Sequence, residues 1–445
     1  MTKKVIPAGI YAIDKDQINY DALYVIQKLQ KSGFDGYVVG GGIRDLLLGK
    51  RPKDFDIVTN ATPEQVNKLF KRHSMIIGRR FKIVHIIFSN INPDKFVNNR
   101  PITERHVLEI STYRSVKVSK QSLNEHGKIL SDNNYGTQKE DATRRDFTIN
   151  AIFYDPIKEV IIDYHGGIND IENKQLKIIG KPEIRFQEDP VRMLRAIRLA
   201  TKLELTIDDN IRDCFKDTAL LLLHENKSRL YEEMLKILLS GYGCKCIEAL
   251  QSLPLPKHIF PLLDILFFGK TKNLFAWNII EKTDIRLLET PDVSIVFILS
   301  GLLWSLVNKS WQKLKANATS NREALMDAIY ANRDFAMQIG ITKNTYTNMR
   351  DVWLLQYDLE FTNPKRAHQT FISNRFRQAW HLFSSRHEFK EVDNKIFSWW
   401  NDYIDASHEE QLLLLNKIPE TNIEKKAKKK RKPSKPKKKE NKTIA

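Results

Sequence analysis

The sequence predicts an α+β fold: a small mixed sheet with helices packed on it, then an all-helical remainder, then a basic tail. Three observations predict it. Between residues 12 and 155, short apolar runs of strand length alternate with stretches of helical spacing. From about residue 185 the spacing is almost entirely helical. After about residue 420 the chain is lysine-rich with two prolines, a composition that buries no core.

The elements follow in order. Residues 20–32 have helical spacing, ended by Gly33 and Gly36. Tyr37-Val38-Val39 suits a short buried strand. Gly40-Gly41-Gly42 turns the chain into a helix from Ile43 to Leu48, stopped by Gly49. Residues 54–59 (DFDIVT) alternate as a strand. Thr62 is an N-cap and Pro63 the first residue of a helix running to about Arg72. Three further strands are expected, Met75–Gly78, Lys82–Ser89 and His106–Tyr113, with a polar insertion at 90–105 and a loop at 115–138. Helical spacing then marks 188–202, 217–240, 243–252, 292–307, 322–338 and 366–384, and an aromatic helix 391–404.

Composition narrows the function. The 445 residues carry a net charge of +18, which argues for a polyanionic partner. Residues 421–445 hold 12 Lys/Arg against 2 Glu, so ten of those charges lie in the tail. Three cysteines, Cys214, Cys244 and Cys246, make neither a disulfide framework nor a zinc site; reduced thiols of a cytoplasmic protein are expected. The first ten residues contain no apolar signal segment. The apolar stretch Val293–Val307 falls short of the ~20 residues that cross a bilayer.

The chemistry starts at Asp54-Phe55-Asp56. On a strand, the two carboxylates share a face while Phe55 points to the core. Two anions held together call for a divalent cation, and Mg²⁺ takes one or two carboxylates plus substrate phosphates. The glycine turn upstream, with Gly41 and Gly42, brings backbone N–H groups to a helix N-terminus that favours anions, and Arg44 adds a charged donor. The turn matches neither the dinucleotide fingerprint nor the Walker A pattern. Asp189, Arg192, Arg195 and Arg198 are spaced by three and line one flank of a helix; salt bridges to local acids or an anion laid across the arginines would each relieve their repulsion.

Together these segments resemble the class II nucleotidyltransferases, the family of bacterial poly(A) polymerases and CCA-adding enzymes. The matching stretches are VGGGIRDLLLG, DFDIVTNATPE, DATRRDFTINA at 141–151 and EDPVRMLRAIR at 188–198, in that order. The resemblance implies a polymerase-β-like head at 12–155, a neck with a nucleotide-recognition helix at 156–250, an RNA-binding helical body and carboxy-terminal region at 251–415, and a disordered tail at 416–445. It implies that Asp54 and Asp56 hold two Mg²⁺ ions, with Mn²⁺ as the alternative. Arg144, Arg145, Asp189, Arg192, Arg195 and Arg198 would hold the triphosphate and read the base. Glu109 or Asp146 would complete the acidic site, and that choice stays open here.

Within the family, Gly78-Arg79-Arg80-Phe81-Lys82 with Val84-His85, residues 374–384, Ser398-Trp399-Trp400 and the basic tail resemble the poly(A) polymerase branch. That branch adds AMP from ATP to RNA 3′ ends in RNA processing and decay. The implied partners are RNA 3′ ends, ATP and the RNA-decay machinery, with Lys425–Lys442 on the RNA, no membrane, and a cytoplasmic location. Phe371, Arg375, Phe376, Arg377 and Trp380 mix aromatics with cations and could stack bases; the same spacing suits a core. The alternatives are a CCA-adding tRNA nucleotidyltransferase and a catalytically dead RNA-binding protein.

Overall fold

The computed structural model describes residues 3–78, 81–97, 100–116, 134–253, 261–268, 271–290, 293–316 and 318–419, with 90–97 and 100–105 described by backbone only. The chain divides into two compact units, Met1–Pro261 and Leu262–Ala445.

The first unit is built on an eight-stranded sheet in the order β1-β8-β7-β2-β3-β6-β5-β4. Its strands are β1 (Lys4–Pro7), β2 (Tyr37–Val39), β3 (Asp56–Thr59), β4 (Ser74–Ile77), β5 (Ile83–Val97), β6 (Arg100–Thr112), β7 (Ile152–Asp155) and β8 (Val160–Asp163). All neighbours run antiparallel except β3 and β6, which are parallel with Ile57 opposite Ile110. The helices of the sheet region are α1 (Tyr20–Lys31), α2 (Gly41–Leu47), α3 (Pro63–Phe70), α4 (Gln138–Arg144) and α5 (Gly167–Glu172). Thr62 caps α3 as expected, in a reciprocal pair with Gln65. Ala142 of α4 joins a buried cluster with Val39, Val58, Phe153 and Ile162 of the sheet. Each large apolar side chain so buried contributes roughly 1.5–3 kcal/mol, which fixes α4 on the sheet.

After the sheet come α6 (Pro182–Glu188), α7 (Arg192–Leu203), α8 (Asp209–Thr218), α9 (Lys227–Leu238) and α10 (Gly243–Gln251). Beginning at the boundary, α11 (Pro261–Leu266) leads into the second unit. There α12 (Leu274–Glu289), α13 (Ile295–Leu314), α14 (Asn321–Ala331), α15 (Arg333–Gln338), α16 (Lys343–Glu360), α17 (Pro364–Phe371), α18 (Phe376–Glu388), α19 (Asn394–Asp405) and α20 (His408–Leu415) pack around Trp304, Trp311, Trp353 and Trp400. Among the described residues, no helix is long and apolar enough to cross a membrane.

Several expectations are corrected. The sheet does not end at residue 155, because β8 pairs with both β7 and β1. The polar stretch 90–105 is no separate insertion; its backbone extends β5 and β6 into one long hairpin. Asp54 lies outside β3, which starts at Asp56. The helix expected over 188–202 starts only at Arg192, and Glu188 ends the preceding α6. Pro190 has no N–H, and it biases the residue before it toward extended backbone; Asp189 is extended at φ −154°, ψ 92°. The helix expected over 217–240 breaks into a 3₁₀ turn at Ala219–His224 and α9, capped by Asn226. Likewise 322–338 divides at Asn332 into α14 and α15, and 366–384 at Ile372–Arg375 into α17 and α18. Arg79, Arg80 and the tail 420–445 lie outside the described residues.

Candidate active site

A cavity of about 400 Å³ opens in the first unit. Val39, Asp56, Ile57 and Glu109 from the sheet line one side. Arg114, Arg144, Arg145 and Asp146, with Asp189, Arg192, Arg195 and Arg229, line the other.

The acidic side follows from strand register. Ile57 pairs with Ile110 in parallel, so Asp56 and Glu109 stand one residue earlier on adjacent strands and share a face. His85 pairs with Glu109 from the opposite neighbour, its Nε2 3.4 Å from Oε1. The Asp56 carboxyl is pushed above its ordinary value, by enclosure first, then by Glu109, with Asp54 adding to the rise and Arg145 opposing it. Among the acids around Asp56, Glu109 raises it most, ahead of Asp54.

The glycine turn supports this wall. Gly40 has φ +76°, and a Cβ there would stand 3.6 Å from Arg145 Nη1 and 3.8 Å from Asp56 Oδ2. At Gly42 a Cβ would press within 3.1 Å of the Phe55 ring and 3.2 Å of the Asp54 carbonyl. Close approach of α2 thus holds Phe55 in the core and Asp54 beside Asp56.

Arg144, Arg145 and Asp146 diverge because α4 ends at Arg144 and the backbone turns extended at Arg145, φ −64°, ψ 165°. Arg145 folds back onto Asp141, with Nη2 2.9 Å from Oδ2, and covers the Phe153 ring at 5.5 Å. Asp146, only 8% exposed, meets Arg195 Nη2 at 2.7 Å and accepts from Phe147 N and Asn150 Nδ2. Burial alone would raise its pKa, but Arg195, Asn150 and the Phe147 N–H outweigh burial and hold it below the ordinary range. Arg144 enters a crowd of like charge. Burial, then Arg114, Arg185, Arg192 and Arg145, pull its guanidinium down to about 9. Arginines gathered in this number at a cavity suit a polyanion.

Each predicted site residue can now be placed. Asp56, Glu109, Arg144, Arg145, Asp146, Asp189, Arg192 and Arg195 line the cavity together. Asp54 is beside Asp56 but outside the lining. Gly41 and Gly42 shape the turn without lining the cavity. Arg44 is buried and committed to Asp45 and Asn150, at 2.6 and 2.8 Å, so it is no phosphate donor in this arrangement. Arg198 pairs with buried Glu233 at 2.8 Å, tying α7 to α9. The flank of aligned arginines is thus relieved by local acids: Arg192 by Glu188 at 3.0 Å, Arg195 by Asp146, Arg198 by Glu233. Asp189 is held by Arg229, whose Nη2 donates to both carboxylate oxygens at 3.0 Å.

Arg114 and Arg229 also build the cavity and have no local motif that marks them; Asp141 and Glu188, which open the two stretches quoted above, line it too. Arg114 lies over the Phe81 ring at 4.7 Å, which fits the Phe81 turn singled out in the sequence.

Among the described residues no three His, Cys, Asp or Glu side chains are already gathered as a metal cage. The donor set nonetheless suits Mg²⁺, which shares substrate phosphates and keeps waters instead of needing an all-protein cage. The raised Asp56 carboxyl marks the negative charge that such an ion would neutralise.

Family models match the chain in three blocks: the poly A polymerase head domain at 36–177, the probable RNA and SrmB-binding site of polymerase A at 204–266, and the polymerase A arginine-rich C-terminus at 316–438. Poly(A) polymerase I of Haemophilus influenzae is 33% identical over 93% of this chain and 90% of its own. The chain belongs to the poly(A) polymerase family. A CCA-adding enzyme from Lactobacillus helveticus is 32% identical, over 62% of this chain and 65% of its own. The fold also matches a solved tRNA-processing enzyme in its apo form, with TM-score 0.53, 20% identity, and 90% and 97% of the two chains covered. Poly(A) polymerase family members and CCA-adding enzymes are both nucleotidyltransferases, and the α+β head followed by helices is their shared plan.

Proposed function

We propose that the chain is a template-independent poly(A) polymerase. It adds AMP from ATP to RNA 3′ ends and releases pyrophosphate. The observation that carries the reading is a cavity that brings Asp56 and Glu109 of the sheet together with Arg114, Arg144 and Arg192. Near-complete coverage of a poly(A) polymerase relative sets the branch.

Asp54, Asp56 and Glu109 would hold the Mg²⁺ ions. When bound, these ions lower the pKa of the RNA 3′-hydroxyl and neutralise charge on the leaving pyrophosphate. The 3′-oxygen forms a bond to the α-phosphorus as the bond to the bridging oxygen breaks and pyrophosphate departs. Arg144 and Arg114 take the triphosphate. Asp189, oriented by Arg229, and Arg192 face the base edge. Asp146 positions Arg195 and does not touch the reacting atoms. Positioning and electrostatics carry such phosphoryl chemistry. The reading also places the protein in the cytoplasm, with the RNA-decay machinery as its partner class.

The test is incubation with a generic RNA and ATP or CTP alone. Long A tails without CTP support the reading. Two C additions and one A, confined to tRNA, would replace it with the CCA-adding alternative, which the Lactobacillus relative keeps in view.

A further inference from the structure

The second unit carries an aromatic stack that the catalytic reading does not use. Arg377, Trp380, Ser384 and His387 are spaced at three or four residues on α18 and share one side of it. Phe397 of α19 lies parallel to Trp380, with centroids 5.1 Å apart and planes 9° apart. It also lies parallel to His387, at 3.8 Å and 4°. Seven helical residues rise by about 10 Å, which leaves room for one ring between Trp380 and His387, and Phe397 fills it. The result is a three-ring column along the helix.

The column differs from the rest of the aromatic core at Trp380. The other six tryptophans each donate the indole N–H to an oxygen inside the protein. Among the described residues, Trp380 has no such partner, and its side chain is only half-buried. Side chains on a helix lean toward its N-terminus. The open end of the column therefore points along α18 toward Arg377, which is exposed one turn earlier.

The surroundings are basic. Arg286 of α12 lies over the Phe297 ring at 4.9 Å, beside His381 of α18. Lys282 reaches Glu388 at 2.6 Å, and Glu289 offsets part of the Arg286 charge. His381 registers what remains: burial, then Arg286, Arg377 and Lys282, pull it down to about 4, so it is neutral at pH 7.

We propose that the Trp380–Phe397–His387 column is a stacking platform for single-stranded RNA, on which a base extends the column at Trp380 while Arg377 and Arg286 take the adjacent phosphates. Rings supply sequence-tolerant stacking and the arginines supply backbone attraction, the combination that holds single strands without reading them. A duplex keeps its bases inside and cannot add one to the column. The proposal rests on RNA being the substrate.

The experiment measures fluorescence anisotropy of a labelled 20-nucleotide oligo(A), and of the same strand in a duplex, with the full chain. Trp380→Ala is expected to weaken single-strand binding about tenfold, the order of one lost base stack. Trp380→Phe keeps most of the affinity. Arg377→Glu, at an exposed site that tolerates the change, weakens binding and lowers the salt slope by about 0.7 or more per lost phosphate contact. Single-strand affinity unchanged in both folded Trp380→Ala and Arg377→Glu overturns the platform and leaves the enzyme reading intact. Equal losses on duplex and single strand also overturn it. An unaltered chain that binds no RNA removes both readings together.

Discussion

Two arginine clusters, one in each unit, are built in opposite ways. In the second unit Arg386 is 2% exposed and fully answered: Glu360 and Glu391 pair with it, Gln356 accepts from it, and the Trp304 ring lies 4.4 Å from its guanidinium. In the first unit Arg144 is half-buried, and four more arginines stand close enough to pull its guanidinium down. The first arrangement is a closed structural element. The second gathers cations at the edge of a cavity, where an anion can reach them.

The comparison can be broken from either side. Replacing Asp54 and Asp56 together with Ala should abolish nucleotide transfer, a loss of at least about a thousandfold for groups that place the charge-stabilising ions. RNA binding, measured by anisotropy, should persist; retained transfer would refute the metal assignment.

Next in size is Arg386→Ala. It removes the buried cation that Glu360 and Glu391 share, and because both carboxylates keep some solvent it should cost about 3 kcal/mol of stability, the low end for a broken buried pair. By contrast Arg144→Ala should cost less stability than Arg386→Ala while raising the ATP KM on the order of tenfold or more. Chemical denaturation and steady-state kinetics on both variants decide the matter. An Arg144→Ala chain as destabilised as Arg386→Ala would make the two clusters alike.

A smaller effect concerns Asp189 and Arg229. Arg229→Met frees the Asp189 carboxylate and should loosen discrimination between ATP and CTP by about tenfold, read from the ratio of kcat/KM values. Unchanged discrimination would reduce this pair to a structural tie.

The smallest is pH-linked. Asp56 is raised in the folded chain, so folded protein binds its proton more tightly than unfolded protein does. Its ionisation therefore costs stability. That cost is absent below the ordinary carboxyl range and complete above the raised value. Asp56→Asn should raise the melting temperature at pH 7 by about 1–2 °C without metal, and Mg²⁺ should stabilise the unaltered chain but not the variant. Equal stabilisation of both by Mg²⁺ would place the ions elsewhere.

Local signals account for most of what was legible in the sequence. The run Tyr37–Val39, the glycines after it and the Thr62-Pro63 cap each depend on a few adjacent residues, and each formed where expected. Glu109 was visible as an acid on an alternating strand, but its choice over Asp146 needed the β3–β6 register, a pairing across more than fifty residues. Pro190 was a local signal that helical spacing overrode. Arg114 and Arg229 reach the cavity only through the fold, so no neighbouring residue announces them. Arg44 shows the same limit: its position suits phosphate binding, and its engagement by Asn150, far away in sequence, appears only in the fold.

The crowded wall around Arg144 has a consequence for the lifetime of the chain. A pocket that is empty opens more readily than one that a ligand fills, and proteases cut what opens. On the ATP-binding reading, a cell low in nucleoside triphosphate would hold this protein in its more perishable form. Survival under protease with and without a non-hydrolysable ATP analogue would show whether the cavity also sets how long the molecule lasts.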